Sequence, residues 1–217
     1  ASDVYKRQVD IGGGTTDVAV AALGGGLLYL LRGVWTDAAI PAVAAALCFC
    51  LSMAALYAAS AIYHYYPGTA ASGGVKRVLR KMDHSMIYVL IAGSYTPFCV
   101  VLLPQPRGTQ FCLILWGVAL AGVLAKMLWI NAPRMLSTAV YLIMGWSVVF
   151  VAKDFTALGQ PCLTLVALGG ICYSVGAVFY AVKKPNISAE WTFHELFHLL
   201  ILAGSFFHYL AVYLYVL

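Results

Sequence analysis

Six long stretches of this chain run with almost no charge, and that decides most of what it can fold into. They are Ala38 to Ile62, Met82 to Leu103, Thr109 to Ile130, Met135 to Ala152, Pro161 to Val182 and Phe193 to Leu217. A hydrocarbon core of about 30 Å takes roughly 20 helical residues to cross. Each stretch is close to that length or beyond it. With 63% of its 217 residues hydrophobic and only 10% charged, the chain reads as all-α: a polytopic membrane protein with one bundle domain. The six cysteines lie inside apolar runs and form no CxxC pair. They indicate neither a disulfide framework nor a zinc knuckle, and read as small core residues.

The first residues do not match the rest. Ala1 to Gln8 looks like translated sequencing-adaptor sequence. Val9 to Val20, VDIGGGTTDVAV, resembles a phosphate-binding loop of the actin-like ATPases, but without the surrounding domain such a loop requires. Residues 1–17 are therefore expected to be a non-native lead, with residues 18–217 forming the membrane domain. Val18 to Leu31 is uncharged but at 1.5 Å per residue reaches only about 21 Å, and three consecutive glycines weaken it. It reads as the truncated or replaced first helix of a seven-helix bundle.

Loop charges give an orientation. The connections after the second, fourth and sixth segments carry Lys76, Arg77, Arg80, Lys81, Arg134, Lys183 and Lys184, while the others carry Arg32, Arg107 and Lys153. The positive-inside rule places the first set in the cytoplasm. The expected location is the inner (plasma) membrane, N-terminus cytoplasmic and C-terminus outside. The net charge of +5 then reports orientation, and no nucleic-acid partner is expected.

Three of the segments bring polar residues to that same cytoplasmic depth. The second ends with Ser60 and His64 one turn apart, the third begins with Asp83 and His84, and the last begins WTFHELFH, with His194 and His198 one turn apart. Ionisable residues are costly inside a membrane, so such a cluster is a functional hypothesis by default. His64, His194 and His198 supply three nitrogens and leave a fourth position open, the pattern of a catalytic zinc site. Zinc lowers the pKa of bound water towards neutrality. Asp83 could hold and deprotonate that water, and Ser60 could bond either the carboxylate or an intermediate. Read singly, Asp83 is also a charge partner for Arg80 or Lys81, and Ser60 an ordinary bond to the carbonyl one turn back.

The motifs SAIYH (Ser60 to His64), MDHSMIYVLIAGSYTPF (Met82 to Phe98), HELFH (His194 to His198) and GSFFHY (Gly204 to Tyr209) closely resemble the haemolysin III family. That family belongs with the progestin and adiponectin receptors and, more widely, the alkaline ceramidases. The resemblance covers about Leu27 to the end. It implies a seven-helix fold with zinc bound by His64, His194 and His198, the aspartate near the zinc-bound water at Asp83, and the accompanying serine at Ser60.

HELFH also satisfies HExxH, in which Glu195 would be the general base of a zinc protease. A third histidine in the second segment and the lack of an LDG-type aspartate motif in a later helix argue against it. Glu195 then falls at the headgroup boundary or supports a ligand. His84 lies about 100° round its helix from Asp83, and His208 about 15 Å deeper than His198, too far to share an ion but able to bond across helices. Tyr95, Thr96 and Pro97 are expected to mark a kink, and Lys126 to snorkel towards the headgroups. The expected function is zinc-dependent hydrolysis of a ceramide-like lipid amide, with membrane lipids as partners. The alternatives are a pore-forming, haemolytic protein, or a membrane-state sensor with structural zinc.

Overall fold

A computed structural model describes residues 39–67, 74–129, 134–156, 160–188 and 191–217. The expected first helix and the expected non-native lead lie outside them. Helix α1 spans Ala39–Tyr65, α2 Val75–Pro97, α3 Arg107–Leu128, α4 Arg134–Gly145, α5 Ala152–Thr156, α6 Gln160–Val182 and α7 Phe193–Tyr215. A π-helical turn, Phe98–Leu102, continues α2, and a 3-10 stretch, Trp146–Val151, joins α4 to α5. Among the described residues there is no strand, and six helices are long and apolar enough to cross a membrane. The broken run Met135–Asp154 counts as one of the six. Side chains such as Leu113, Ile114, Leu120 and Phe150 face outward, as lipid contact requires. The chain is a multi-pass helical membrane protein.

The third expected segment starts earlier than its hydropathy suggests. The basic run VKRVLRK is already helical from Val75, because its lysines find carbonyls in neighbouring helices. Lys76 Nζ donates to Tyr63 O and to Tyr66 O, the latter at 2.5 Å, and lies 4.7 Å from the Tyr63 ring centre. Cations at helix C-termini are favourable, so α2 seals the end of α1 beside His64. Lys81 Nζ does the same for α3, donating to Met127 O at 2.5 Å.

The kink expected at Tyr95 to Pro97 is present as the π turn after Pro97. Thr96 Oγ1 donates to Ala92 O at 2.9 Å and accepts from Trp116 Nε1 at 3.0 Å. The Tyr95 hydroxyl acts elsewhere: it donates to Gly145 O at 2.6 Å and accepts from Val148 N at 2.8 Å. A side chain inserted into a helix ladder breaks it, and the 3-10 stretch begins at this point.

The core is built where α1 packs on α2 and α6 on α7. Phe49, Met53, Cys162 and Ala211 are buried in one cluster, and Tyr88, Ala92, Cys99 and Ala119 in a second between α2 and α3. All six cysteines are free thiols, four of them buried, in keeping with a packing role.

Candidate metal centre

The site begins with how α7 starts. Thr192 is the N-cap residue, its hydroxyl accepting from His194 N at 3.3 Å. Three residues on, Glu195 Oε2 accepts from Thr192 N at 3.0 Å and from the Thr192 hydroxyl. This reciprocal capping box satisfies amides that a helix start otherwise leaves unpaired. Asn186 adds a further bond, its Oδ1 accepting from Phe193 N at 3.1 Å. The first turn of α7 is thus held rigidly, with His194 in it and His198 one turn deeper on the same face.

His64, in the last turn of α1, completes the group. Its Nε2 lies 3.3 Å from His194 Nε2, which lies 3.2 Å from His198 Nε2. One ligand atom from each of the three falls within 4.8 Å of the others. The ring pairs are tilted by 56°, 83° and 89°, so the rings fan around one point rather than stack.

Hydrogen bonding alone cannot account for this arrangement. A neutral imidazole nitrogen carries either one proton or one lone pair, so His194 Nε2 can satisfy only one of two nitrogen neighbours. A shared cation satisfies all three. Metal–nitrogen bonds of about 2.0–2.1 Å put tetrahedral ligand atoms about 3.3–3.4 Å apart, close to the two separations found. The donor set therefore fits a divalent ion such as zinc, with a fourth position left open.

Asp83, in the third turn of α2, is held by the Ser60 hydroxyl of α1. Ser60 lies one turn before His64, so the carboxylate is fixed against the helix that carries the first histidine. Of the two partners open to Ser60, the structure places the carboxylate. No ion pair joins Asp83 to Arg80 or Lys81 among the described residues. His84 points to α6, where its Nε2 lies 3.2 Å from Tyr180 Oη. Tyr180 in turn flanks the His194 ring, with centres 6.4 Å apart.

His208 bonds across helices, its Nε2 lying 3.2 Å from Val166 O in a notch opened by Gly169. Two turns below the histidines, Tyr57 Oη meets Ser205 Oγ at 2.5 Å, and Tyr173 Oη meets the same oxygen at 2.9 Å. Lys126, expected to reach towards the headgroups, is buried against α4. Its Nζ donates to Ser137 Oγ at 2.5 Å, in the first turn of α4. Tyr180 and Tyr57 carried no sequence signal beyond polarity in an apolar run, and Ser205 only its place in the GSFFHY motif. The Thr192–Glu195 box did: T-x-x-E before an apolar helix is a helix-start signature, overshadowed by the overlapping HExxH.

Comparison with known proteins agrees with the motifs. The family described as Haemolysin-III related matches residues 17–209. The chain is 38% identical over 158 residues to the Hemolysin-3 homolog of Bacillus subtilis (strain 168), covering 72% of this chain and 70% of that one. It is 35% identical over 179 residues to Hemolysin-3 of Bacillus cereus, covering 81% and 77%. A more distant relative is the adiponectin receptor protein of Drosophila melanogaster, 28% identical over 158 residues, covering 61% of this chain and 34% of the receptor. With a match over most of its length and the histidine group in place, this chain belongs to the haemolysin-III-related family of multi-pass membrane proteins.

Proposed function

We propose that the protein is a zinc-dependent hydrolase of a lipid amide, ceramide-like in shape, working at the cytoplasmic face of the inner (plasma) membrane. The observation that carries this reading is the meeting of three histidine Nε2 atoms at the helix ends, beside a carboxylate held by Ser60. The amide of such a lipid lies at the level of the headgroups, where these helix ends lie. His64, His194 and His198 would hold the ion. When bound, it would supply Lewis acidity to a carbonyl and acidify a water molecule.

The remaining work falls to Asp83 and Ser60. Water adds to the amide carbonyl, its proton passing to an Asp83 carboxylate oxygen and on to the amine nitrogen as the C–N bond breaks. The products are a fatty acid and an amine. Ser60 orients the carboxylate, and its single hydroxyl proton would turn to the developing oxyanion as Asp83 takes up the proton from water. The N-terminus is assigned to the cytoplasm and the C-terminus to the outside.

The first test is metal content of detergent-purified protein, set against a His194→Ala, His198→Ala variant. About one zinc per chain in the wild type, lost in the variant, is expected. Asp83→Asn should then keep its metal and lose roughly 10²–10⁴ of the lipid-amidase rate. A folded wild type without metal would sink the hydrolase reading.

The name Hemolysin-3 carried by the relatives suggests membrane lysis as a second reading. Against it, the deeper hydroxyls of Tyr57, Tyr173 and Ser205 are engaged with one another rather than spaced along an aqueous path. Vesicle leakage that survives loss of all three histidines would favour lysis. Intact metal with no amide turnover, alongside a changed response to membrane fluidity, would favour a sensor.

A further inference from the structure

Three cations gather where α2 enters the bundle, and among the described residues no carboxylate pairs with them. Lys126, in the last turn of α3, is only 8% exposed, and its Nζ donates to the neutral Ser137 of α4. Arg80 is close enough for its charge to act on Lys126, and its buried Nε has no hydrogen-bond partner. Lys81 donates to the carbonyl of Met127, the neighbour of Lys126. The nearest acid in sequence, Asp83, is held by Ser60. An ion pair among the described residues, Arg107 with Asp154 at 3.1 Å, joins other helix ends.

Helix dipoles do not balance this charge. The C-terminus of α3 carries the equivalent of about half a negative charge, against three positive ones. Buried charges persist when paired. Lys76 shows the satisfied case, with two carbonyls and an aromatic face around it. Lys126 and Lys81 each use one of three ammonium hydrogens on the partners named, and Arg80 Nε uses none, so donors remain for an acceptor-rich anion.

We propose that Arg80, Lys81, Lys126 and Ser137 form a site, between α2, α3 and α4, for the phosphate of an anionic phospholipid. Basic pockets between membrane helices suit such headgroups. The apolar side chains Leu124, Leu128 and Met135 beside it are exposed, giving acyl chains a surface to lie on. That favours a lipid over free phosphate. The proposal does not depend on the hydrolase reading.

The test is lipid retention by native mass spectrometry of the full chain in detergent, offered phosphatidylglycerol or phosphatidylcholine. Wild type should retain phosphatidylglycerol at least about tenfold more than phosphatidylcholine. Arg80→Gln and Lys126→Gln together should bring it down to the phosphatidylcholine level, while Lys126→Arg and Lys183→Gln, the latter in the exposed α6–α7 loop, should leave it unchanged. Melting temperature checks that each variant is folded. If the double variant is not, Arg80→Gln alone, at a partly exposed side chain, decides the matter by the same comparison. Equal retention of the two lipids by wild type, or a preference surviving the charge removal, overturns the proposal. Complete displacement by millimolar inorganic phosphate assigns the site to free phosphate and overturns the lipid.

Discussion

The carboxylate of Glu195 is occupied before any chemistry begins, since it closes the capping box that starts α7. That occupation separates two readings of HELFH. A protease base changed to glutamine loses about 10²–10⁴ in rate, whereas glutamine serves in a capping box nearly as well as glutamate. Glu195→Gln should therefore keep its zinc and stay within about twofold of wild-type activity, as metal content and initial rates would show. Thr192→Ala should cost about 1 kcal/mol, the usual penalty for a lost N-cap, measured by thermal unfolding. The three histidines were legible in the sequence because ionisable residues stand out in apolar runs and a spacing of four places two on one helix face. That Ser60 turns to Asp83 was legible only as one of several open choices. Whether a serine bonds its own helix or a neighbour is decided by packing, and a single sequence does not carry that packing.

At the level of elements, the apolar runs announced six helices but not their ends or their internal breaks. Hydropathy places the start of α2 where charge stops, yet the helix begins at Val75 because Lys76 and Lys81 reach carbonyls of α1 and α3. The break in the fifth expected segment is also imposed from outside. Gly145 weakens that helix, but the group that interrupts it is the Tyr95 hydroxyl, fifty residues away in sequence. No local pattern encodes such a contact. Tyr95→Phe keeps the ring and removes the hydroxyl, leaving Gly145 O and Val148 N without that partner inside an apolar bundle. An unsatisfied buried polar group costs about 1–3 kcal/mol, so a loss of that size is expected in chemical denaturation. A variant as stable as wild type would mean that the 3-10 stretch reverts to a regular α-helix and recovers its own ladder.

Across the whole molecule the bundle divides into two packed bodies, α1 with α2 and α3, and α6 with α7. The backbones of α1 and α7 scarcely approach one another, and long side chains bridge them. At one end the bridge is His64 with His194 and His198; two turns deeper it is Tyr57 with Ser205. The register is regular: Tyr57 precedes His64 by seven residues and Ser205 follows His198 by seven, two helical turns on each helix, about 10.5 Å along the axis. An ion in the histidine group would then act as a tie between the two bodies as well as a reagent. A ligand present at 100 times its dissociation constant stabilises the folded state by about 2.7 kcal/mol, which for a chain of this size corresponds to roughly 5–10 °C in melting temperature. Adding zinc to chelator-treated protein should produce a shift of that order, and His64→Ala should abolish it even though both α7 histidines remain. Tyr57→Phe should lower the melting temperature of the metal-free protein while leaving the zinc-induced increment intact, because its bond is a separate tie. If the increment survives in His64→Ala, the ion is held by α7 alone and the two bodies are not joined through it.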